Sequence, residues 1–220
     1  MTDTIFFILS LSIIFAAIIG VIRFRKIDTS YHPFILYACL DLVVEIAVYV
    51  LLMKHKQNEV SLIYNIFGLA EFSLLVLLFH NWGLFKRKKS SFVAIISLSV
   101  LLFACTLFIR GYSKINYFSE IVNSFALIFF SISAFNTMIL SERKNIFKNP
   151  KFWICIGIII YYTCFILVYT EKLSFLNLHP SKTFDYKVWA INAYANLLVN
   201  LLYAVAVLWI PRNKNIITLF

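Results

Sequence analysis

The stretch IFFILSLSIIFAAIIGVI occupies Ile5–Ile22 and contains no charged residue. A bilayer core of about 30 Å is crossed by about 20 mostly apolar residues in an α-helix, so this stretch predicts a transmembrane helix. Six further runs meet the same requirement: Phe34–Met53, Ser61–His80, Phe92–Ile109, Tyr117–Leu140, Phe152–Thr170 and Val188–Ile210. We therefore predict an all-α polytopic membrane protein, a seven-transmembrane-helix bundle forming one domain over residues 1–220.

The composition excludes the main classes of water-soluble protein. The 220 residues are 62% apolar and 14% charged, whereas a soluble domain is about half apolar and about a quarter charged. The chain thus lacks the polar side chains that cover a water-facing surface. The longest connection between predicted spans, 171–187, is too short for a soluble domain. Any activity is therefore expected within the lipid bilayer or through another chain.

The basic residues predict the orientation of the bundle. Thirteen of the twenty Lys and Arg residues follow the first, third, fifth and seventh spans, in clusters at 23–26, 86–89, 143–151 and 212–214. Because positive charge is retained on the cytoplasmic side, we expect the N-terminus outside and the C-terminus inside, in a bacterial inner membrane. This clustering explains the net charge of +10 without a nucleic-acid partner.

Three acidic residues lie near the middle of the predicted spans: Asp41 and Glu45 in the second, and Glu71 in the third. Asp41 and Glu45 are four residues apart and share a helix face. A charge in the bilayer core is costly, and no Lys or Arg lies in the interior of a predicted span. We expect at least one of these acids to be protonated at neutral pH. They either bind a proton, a cation or an amine-bearing ligand, or donate interhelical hydrogen bonds as structural contacts.

The seventh span carries Asn192, Asn196 and Asn200 at four-residue spacing, with Trp189 and Tyr203 on the same side. An amide facing lipid would leave its polar groups without partners, so this stripe is expected to face the bundle interior or water. It is either a ladder of interhelical hydrogen bonds or one wall of a polar cavity. Both alternatives remain open at the level of sequence.

The depths of these polar residues predict a funnel. With the N-terminus outside, Glu45, Glu120, Asn123 and the first two asparagines of the stripe lie in the outer half of the bilayer. Asp41, Glu71 and the third asparagine lie near the midplane. The funnel would open to the outside and end near the centre. The candidate ligand- or cation-binding residues are Asp41, Glu45, Glu71, Asn123, Asn192, Asn196, Asn200 and Tyr203.

Metal and cofactor sites are not expected. The four histidines lie at span ends or in connections and lack the helical spacing of a zinc site. The four cysteines form no Cys-x-x-Cys pair. No pairing of a nucleophile with a base is visible, so no catalytic residue is assigned.

Two stretches carry a resemblance to a family. NIFGLAEFSLLVLLF (Asn65–Phe79) and INAYANLLVNLLYAVAVLWIPRNK (Ile191–Lys214) resemble segments of uncharacterised seven-segment inner-membrane proteins of Bacteroidota. The resemblance extends over most of the chain. It implies an inner-membrane protein working beside signalling components, with no particular activity attached.

Three functions follow from these patterns, in decreasing order of support. The first is a receptor-like or accessory protein that binds a small ligand or cation in the outward-opening funnel and acts through a membrane or cytoplasmic signalling partner. The second is a small transporter coupled to protons or cations. Transporter sites often use interrupted helices, and we expect unbroken ones here because no predicted span contains Pro. The third is an intramembrane enzyme. The sequence indicates no oligomeric state.

Overall fold

The computed structural model describes residues 3–85, 89–111, 114–141, 146–173 and 182–212. In these ranges the chain is helical apart from its connections, and the β-type pairing is limited to an isolated antiparallel bridge between Ile27 and Arg212. Basic residues used in the orientation argument, at 86–88, 143–144 and 214, lie outside these ranges. Residues 174–181 of the predicted connection 171–187 do so too.

The described residues contain seven helices that are long and apolar enough to cross a membrane. This confirms the predicted all-helical, seven-span architecture and indicates an integral membrane protein. We label the helices α1 to α7 in chain order: Thr4–Arg23, His32–Met53, Gln57–Asn81, Lys89–Arg110, Tyr117–Ser141, Pro150–Glu171 and Lys182–Trp209.

Two helices begin well before the apolar runs from which they were predicted. Helix α3 begins at Gln57 rather than Ser61, and α7 begins at Lys182 rather than Val188. The apolar run marks only the part of a helix that crosses hydrocarbon. Outside that part, the same pattern of backbone hydrogen bonds continues through polar residues. Hydropathy therefore places the first residue of the helix too late in the sequence.

The helices pack as a bundle in which α4 is peripheral. Helix α6 packs along both α5 and α7, α2 packs on α3, and α1 packs against α2 and α7. Helix α4 contacts chiefly α3 and α5, and its Phe108 and Leu98 are 94% and 69% exposed. Exposed apolar side chains of this kind suit a hydrocarbon solvent, where no hydrophobic effect drives them inward.

The C-terminal ends of α1 and α7 are joined at one end of the bundle. Arg23 in the last turn of α1 donates hydrogen bonds to the carbonyl oxygens of Val207, Leu208 and Ile210. These carbonyls are among those that the end of a helix leaves without an intrahelical partner. A guanidinium satisfies them and also offsets the negative end of the helix dipole. Helices α1 and α7 therefore run in the same direction.

Helix α1 is interrupted, contrary to the expectation of unbroken helices. Its two α-helical parts, Asp3–Ser10 and Ile14–Arg23, are separated by the 3-10 turn Leu11–Ile13. The Ser10 and Ser12 hydroxyls donate to backbone carbonyls three residues earlier, at 2.9 Å and 2.6 Å. Such bonds compete with the regular helical pattern and commonly bend helices. The expectation of unbroken helices rested on the absence of Pro, which does not exclude a turn of this kind.

Candidate functional site

A cavity of about 290 Å³ lies among six of the seven helices. Its walls come from the first half of α1, the second half of α2, the first half of α3, the start of α5, the second half of α6 and the start of the apolar part of α7. First and second halves alternate in this way because helices that follow one another in the chain run in opposite directions. The cavity therefore occupies the half of the bundle in which the described chain begins. Helix α4 contributes no lining residue among those described.

The cavity extends from the helix ends to the middle of the bundle. Tyr169 lines it near the end of α6 and Ile115 in the connection before α5, whereas Asp41 and Glu71 line it close to the midpoints of α2 and α3. The lining thus extends over several turns of the surrounding helices. Its deepest polar residues are carboxylic acids.

Four acidic side chains line the cavity, and we call Asp41, Glu45, Glu71 and Glu120 the acid group. Asp41 lies close enough to Glu45 and Glu71 to interact with them electrostatically, and Glu120 interacts likewise with Glu71. No Lys, Arg or His is among the described lining residues. Within the described part of the chain, the only ion pair is Lys56–Glu59 at the surface. Among the described residues, the acid group therefore has no counter-charge.

Two of the acids have polar neighbours. The Ser10 hydroxyl oxygen lies 2.9 Å from Oε2 of Glu45 and 2.9 Å from the Phe7 carbonyl oxygen, so its one proton is shared between these two acceptors. The contact with Glu45 joins α1 to α2 directly beside the 3-10 turn. Glu71 is 8% exposed and lies beside the Tyr37 and Tyr162 hydroxyls. Hydroxyl donors stabilise a carboxylate, but they supply no positive charge.

Glu120 reaches the cavity because the facing residue on α3 is a glycine. A Cβ atom built on Gly68 would lie 2.6 Å from the carboxyl carbon of Glu120. The carboxyl group thus occupies the volume that a side chain at position 68 would take. Sequence analysis recognised Glu120 as polar but did not include it among the candidate site residues, because its contact with α3 is a feature of packing.

The three predicted amides of α7 have different positions. Asn192 and Asn196 line the cavity, and Oδ1 of Asn192 is buried without a hydrogen-bond partner among the described residues. Asn200 is 1% exposed and does not line the cavity. Its Nδ2 donates to the Ser10 carbonyl at 3.3 Å and to the Ser12 hydroxyl at 2.9 Å. Asn200 therefore holds the 3-10 turn of α1 against α7.

Two other predicted site residues lie away from the cavity wall. Asn123 is buried and accepts a 3.0 Å hydrogen bond from the Ser99 hydroxyl, which attaches the peripheral α4 to α5. Tyr203 packs edge-on against Phe34 and Tyr37 with ring centroids 5.0 Å and 6.2 Å apart. Its contacts make Tyr203 part of the packed core beside the cavity.

Nine aromatic side chains form most of the remaining wall. Two pairs are in close contact: Phe7 with Tyr49, centroids 3.9 Å apart, and Phe165 with Tyr169, centroids 3.8 Å apart. We call the whole set the aromatic wall: Phe6, Phe7, Tyr49, Tyr64, Phe67, Tyr161, Phe165, Tyr169 and Trp189.

The geometry defines an α-helical membrane protein with a cavity lined by four acidic and nine aromatic side chains. In the part of the chain that the structure describes, no three or more His, Cys, Asp or Glu side chains are grouped closely enough to hold a metal ion. Comparison with protein-family models, curated proteins and solved structures found no match to this chain. Its function is therefore argued from the cavity.

Proposed function

We propose that this protein is a receptor-like or accessory protein of a bacterial inner membrane. In this proposal it binds a small ligand or cation in the cavity from the outer side and acts through a partner protein. The observation that carries the proposal is the acid group, which lines an internal cavity with no basic side chain among the described lining residues.

The acid group has no counter-charge among the described residues. Carboxylates interact strongly in a medium of low dielectric constant, and ionised groups inside a membrane are expensive unless paired or wetted. A cation entering the cavity would favour the ionised form of the acids and would reduce their repulsion. The site is thus suited to a positive ligand and unsuited to a negative one.

The side of entry is argued from charge. The opposite end of the bundle exposes Arg25, Lys26, Lys148 and Arg212, and basic residues favour the cytoplasmic side. The cavity would then belong to the outer half of the membrane. The exposed basic residues would be available to an acidic partner protein or to anionic lipid, which is how ligand binding could reach the cytoplasm.

A small cation-coupled transporter is the second candidate, and one observation favours it. The 3-10 turn of α1 lies beside the cavity, and its neighbour Ser10 bonds to Glu45. Interrupted helices next to an ion-binding group are common in transporters. Cation flux distinguishes a receptor from a transporter. Only a transporter would carry the bound cation across the membrane of sealed proteoliposomes, and this flux should be lost when the Glu71 carboxyl is removed.

The test uses a cysteine placed in the cavity. In a background where the four native cysteines are replaced, Asn196→Cys would be labelled in intact cells with cationic and anionic methanethiosulfonates of similar size. We expect the cationic reagent to react at least about tenfold faster, because a cleft lined by one sign of charge concentrates the opposite sign.

The matched control is Leu198→Cys, because Leu198 is on the same helix, is 49% exposed and does not line the cavity. It should react slowly with both reagents. Equal rates for the two reagents at position 196, or reaction only after the cells are opened, would reject the proposed outward-facing acidic site.

A further inference from the structure

The cavity combines two kinds of lining at different depths. Asp41 and Glu71 lie near the helix midpoints. The close pair Phe7–Tyr49 and the ring of Trp189 lie nearer to the helix ends. A ligand that occupies the full depth must therefore present a positive group to the acids and an apolar body to the rings.

The buried polar atoms also indicate a ligand. The Glu71 side chain is more than nine-tenths buried, lines the cavity and has no cationic partner among the described residues. Oδ1 of Asn192, on the facing helix, is buried without a hydrogen-bond donor from the described chain. Buried acceptors in native proteins are normally satisfied. An ammonium group has three donors and one positive charge, so it would supply the counter-charge that Glu71 lacks among the described residues.

The aromatic wall distinguishes an organic cation from a bare metal ion. Calcium takes six to eight oxygen ligands, and the described residues contain no group of three or more potential ligand side chains at metal-binding distances. Aromatic faces attract ammonium groups through the ring quadrupole and are the usual lining of sites for organic ammonium ions. Nine of the lining residues are aromatic.

We propose that the cavity binds a small organic ammonium ion. Its charged nitrogen lies between Asp41 and Glu71, and its hydrocarbon or single-ring body lies against the aromatic wall. The volume of about 290 Å³ is at the lower limit for small-molecule sites and so limits the body to about one ring. This inference rests on the proposed function and specifies its ligand class.

The experiment compares two molecules of the same shape. Binding of 2-phenylethylamine, which is protonated at neutral pH, and of the neutral 2-phenylethanol would be measured by calorimetry on the full chain in nanodiscs. We expect saturable binding of the amine. The alcohol should bind at least about tenfold more weakly, because it cannot form charged hydrogen bonds with the acids.

Two variants and a control assign the binding to the cavity. Glu71→Gln keeps the shape and removes the charge, so the affinity for the amine should fall at least about tenfold. Phe165→Leu removes a ring from the wall and should reduce affinity about two- to thirtyfold. Glu59→Gln changes an exposed acid that pairs with Lys56 outside the cavity and should leave affinity unchanged.

Size-exclusion profiles and circular dichroism establish that each variant is folded. If Glu71→Gln does not fold, Glu120→Gln replaces it.

The outcomes separate this inference from the proposed function. Equal affinity for amine and alcohol would overturn the inference. So would Glu71-dependent binding of sodium, potassium or calcium ions in the absence of amine binding, although the proposed cation site would then stand. If neither the amine nor any of these ions binds, and cysteine labelling in the cavity shows no preference for the cationic reagent, both proposals are rejected.

Discussion

The carboxyl group of Glu120 occupies the space directly above the Cα atom of Gly68. A Cβ atom at position 68 would lie 2.7 Å from Oε2 of Glu120, well inside van der Waals contact. The fourth acid of the cavity is thus brought to the other three by a contact between α5 and α3. Because the obstructing atoms are the end of a flexible side chain, the contact can be broken without moving either helix.

This contact predicts that Gly68→Ala alters binding but not folding. The methyl group would push the Glu120 carboxyl away, while alanine favours helix by about 0.5–1 kcal/mol relative to glycine. We expect an unchanged or slightly raised free energy of unfolding and weaker cation binding. Both are measured on one preparation, by unfolding in mixed detergent and by calorimetry.

Gly157→Ala is the matched control for this variant. A Cβ atom there would lie 3.1 Å from Cδ1 of Tyr203, whose ring is 1% exposed and cannot move aside. Overpacking of a filled site costs about 1–3 kcal/mol, so this variant should lose stability. If Gly68→Ala were as destabilised as Gly157→Ala, the Glu120 carboxyl would be part of the rigid core rather than a mobile cavity group.

The second prediction compares Asn200, which packs between helices, with Asn196, which lines the cavity, by their effects on the free energy of unfolding. Asn200→Ala removes two hydrogen bonds to the 3-10 turn of α1. Interhelical hydrogen bonds in membrane proteins average about 0.6 kcal/mol and reach about 1.7 kcal/mol. We expect the unfolding free energy to fall by about 1 kcal/mol. Asn196→Ala should change it by less than half as much, because Asn196 lines the cavity. A larger loss for Asn196→Ala would contradict this assignment.

Arg23 provides a third prediction, at the opposite end of the bundle from the cavity. Arg23→Ala leaves the carbonyls at the end of α7 without their guanidinium donor, and hydrogen bonds to charged groups contribute about 1.5–3 kcal/mol. We expect a loss of stability in that range and faster proteolysis near the end of α7. Arg25→Ala removes an exposed charge on the same connection and should change stability by no more than about 0.5 kcal/mol. Similar effects of the two variants would mean that the cap contributes little.

The spans could be predicted because the length of an apolar run is a local property of the sequence. The same reasoning placed polar residues inside the bundle, but it could not decide which of them share a cavity. Asn123 and Asn196 both meet the requirement that an intramembrane amide find a polar partner. Asn123 meets it by pairing with Ser99, whereas Asn196 meets it by lining a cavity. That difference depends on which helices are neighbours.

Asn65 and the aromatic wall show two further limits of pattern analysis. Sequence analysis found no role for Asn65, yet its side chain accepts a 2.9 Å hydrogen bond from the Asn116 backbone and donates to the Lys114 carbonyl at 3.0 Å. These bonds hold the connection before α5 in place, and the backbone of a connection has no periodicity to detect. Aromatic residues form 18% of the chain and occur on every helix, so their concentration at one cavity is visible only after folding.

The orientation of the bundle is the last prediction, because it decides which compartment supplies the ligand. Lys54 and Arg25 are both exposed and lie in connections at opposite ends of the bundle. In a background without native cysteines, we expect a membrane-impermeant maleimide to label Lys54→Cys in intact cells, but Arg25→Cys only after permeabilisation. The physical reason is that Lys and Arg are concentrated in the connections on the Arg25 side, and connections rich in basic residues are retained in the cytoplasm. The reverse labelling pattern would place the cavity on the cytoplasmic side and make its ligand an intracellular cation.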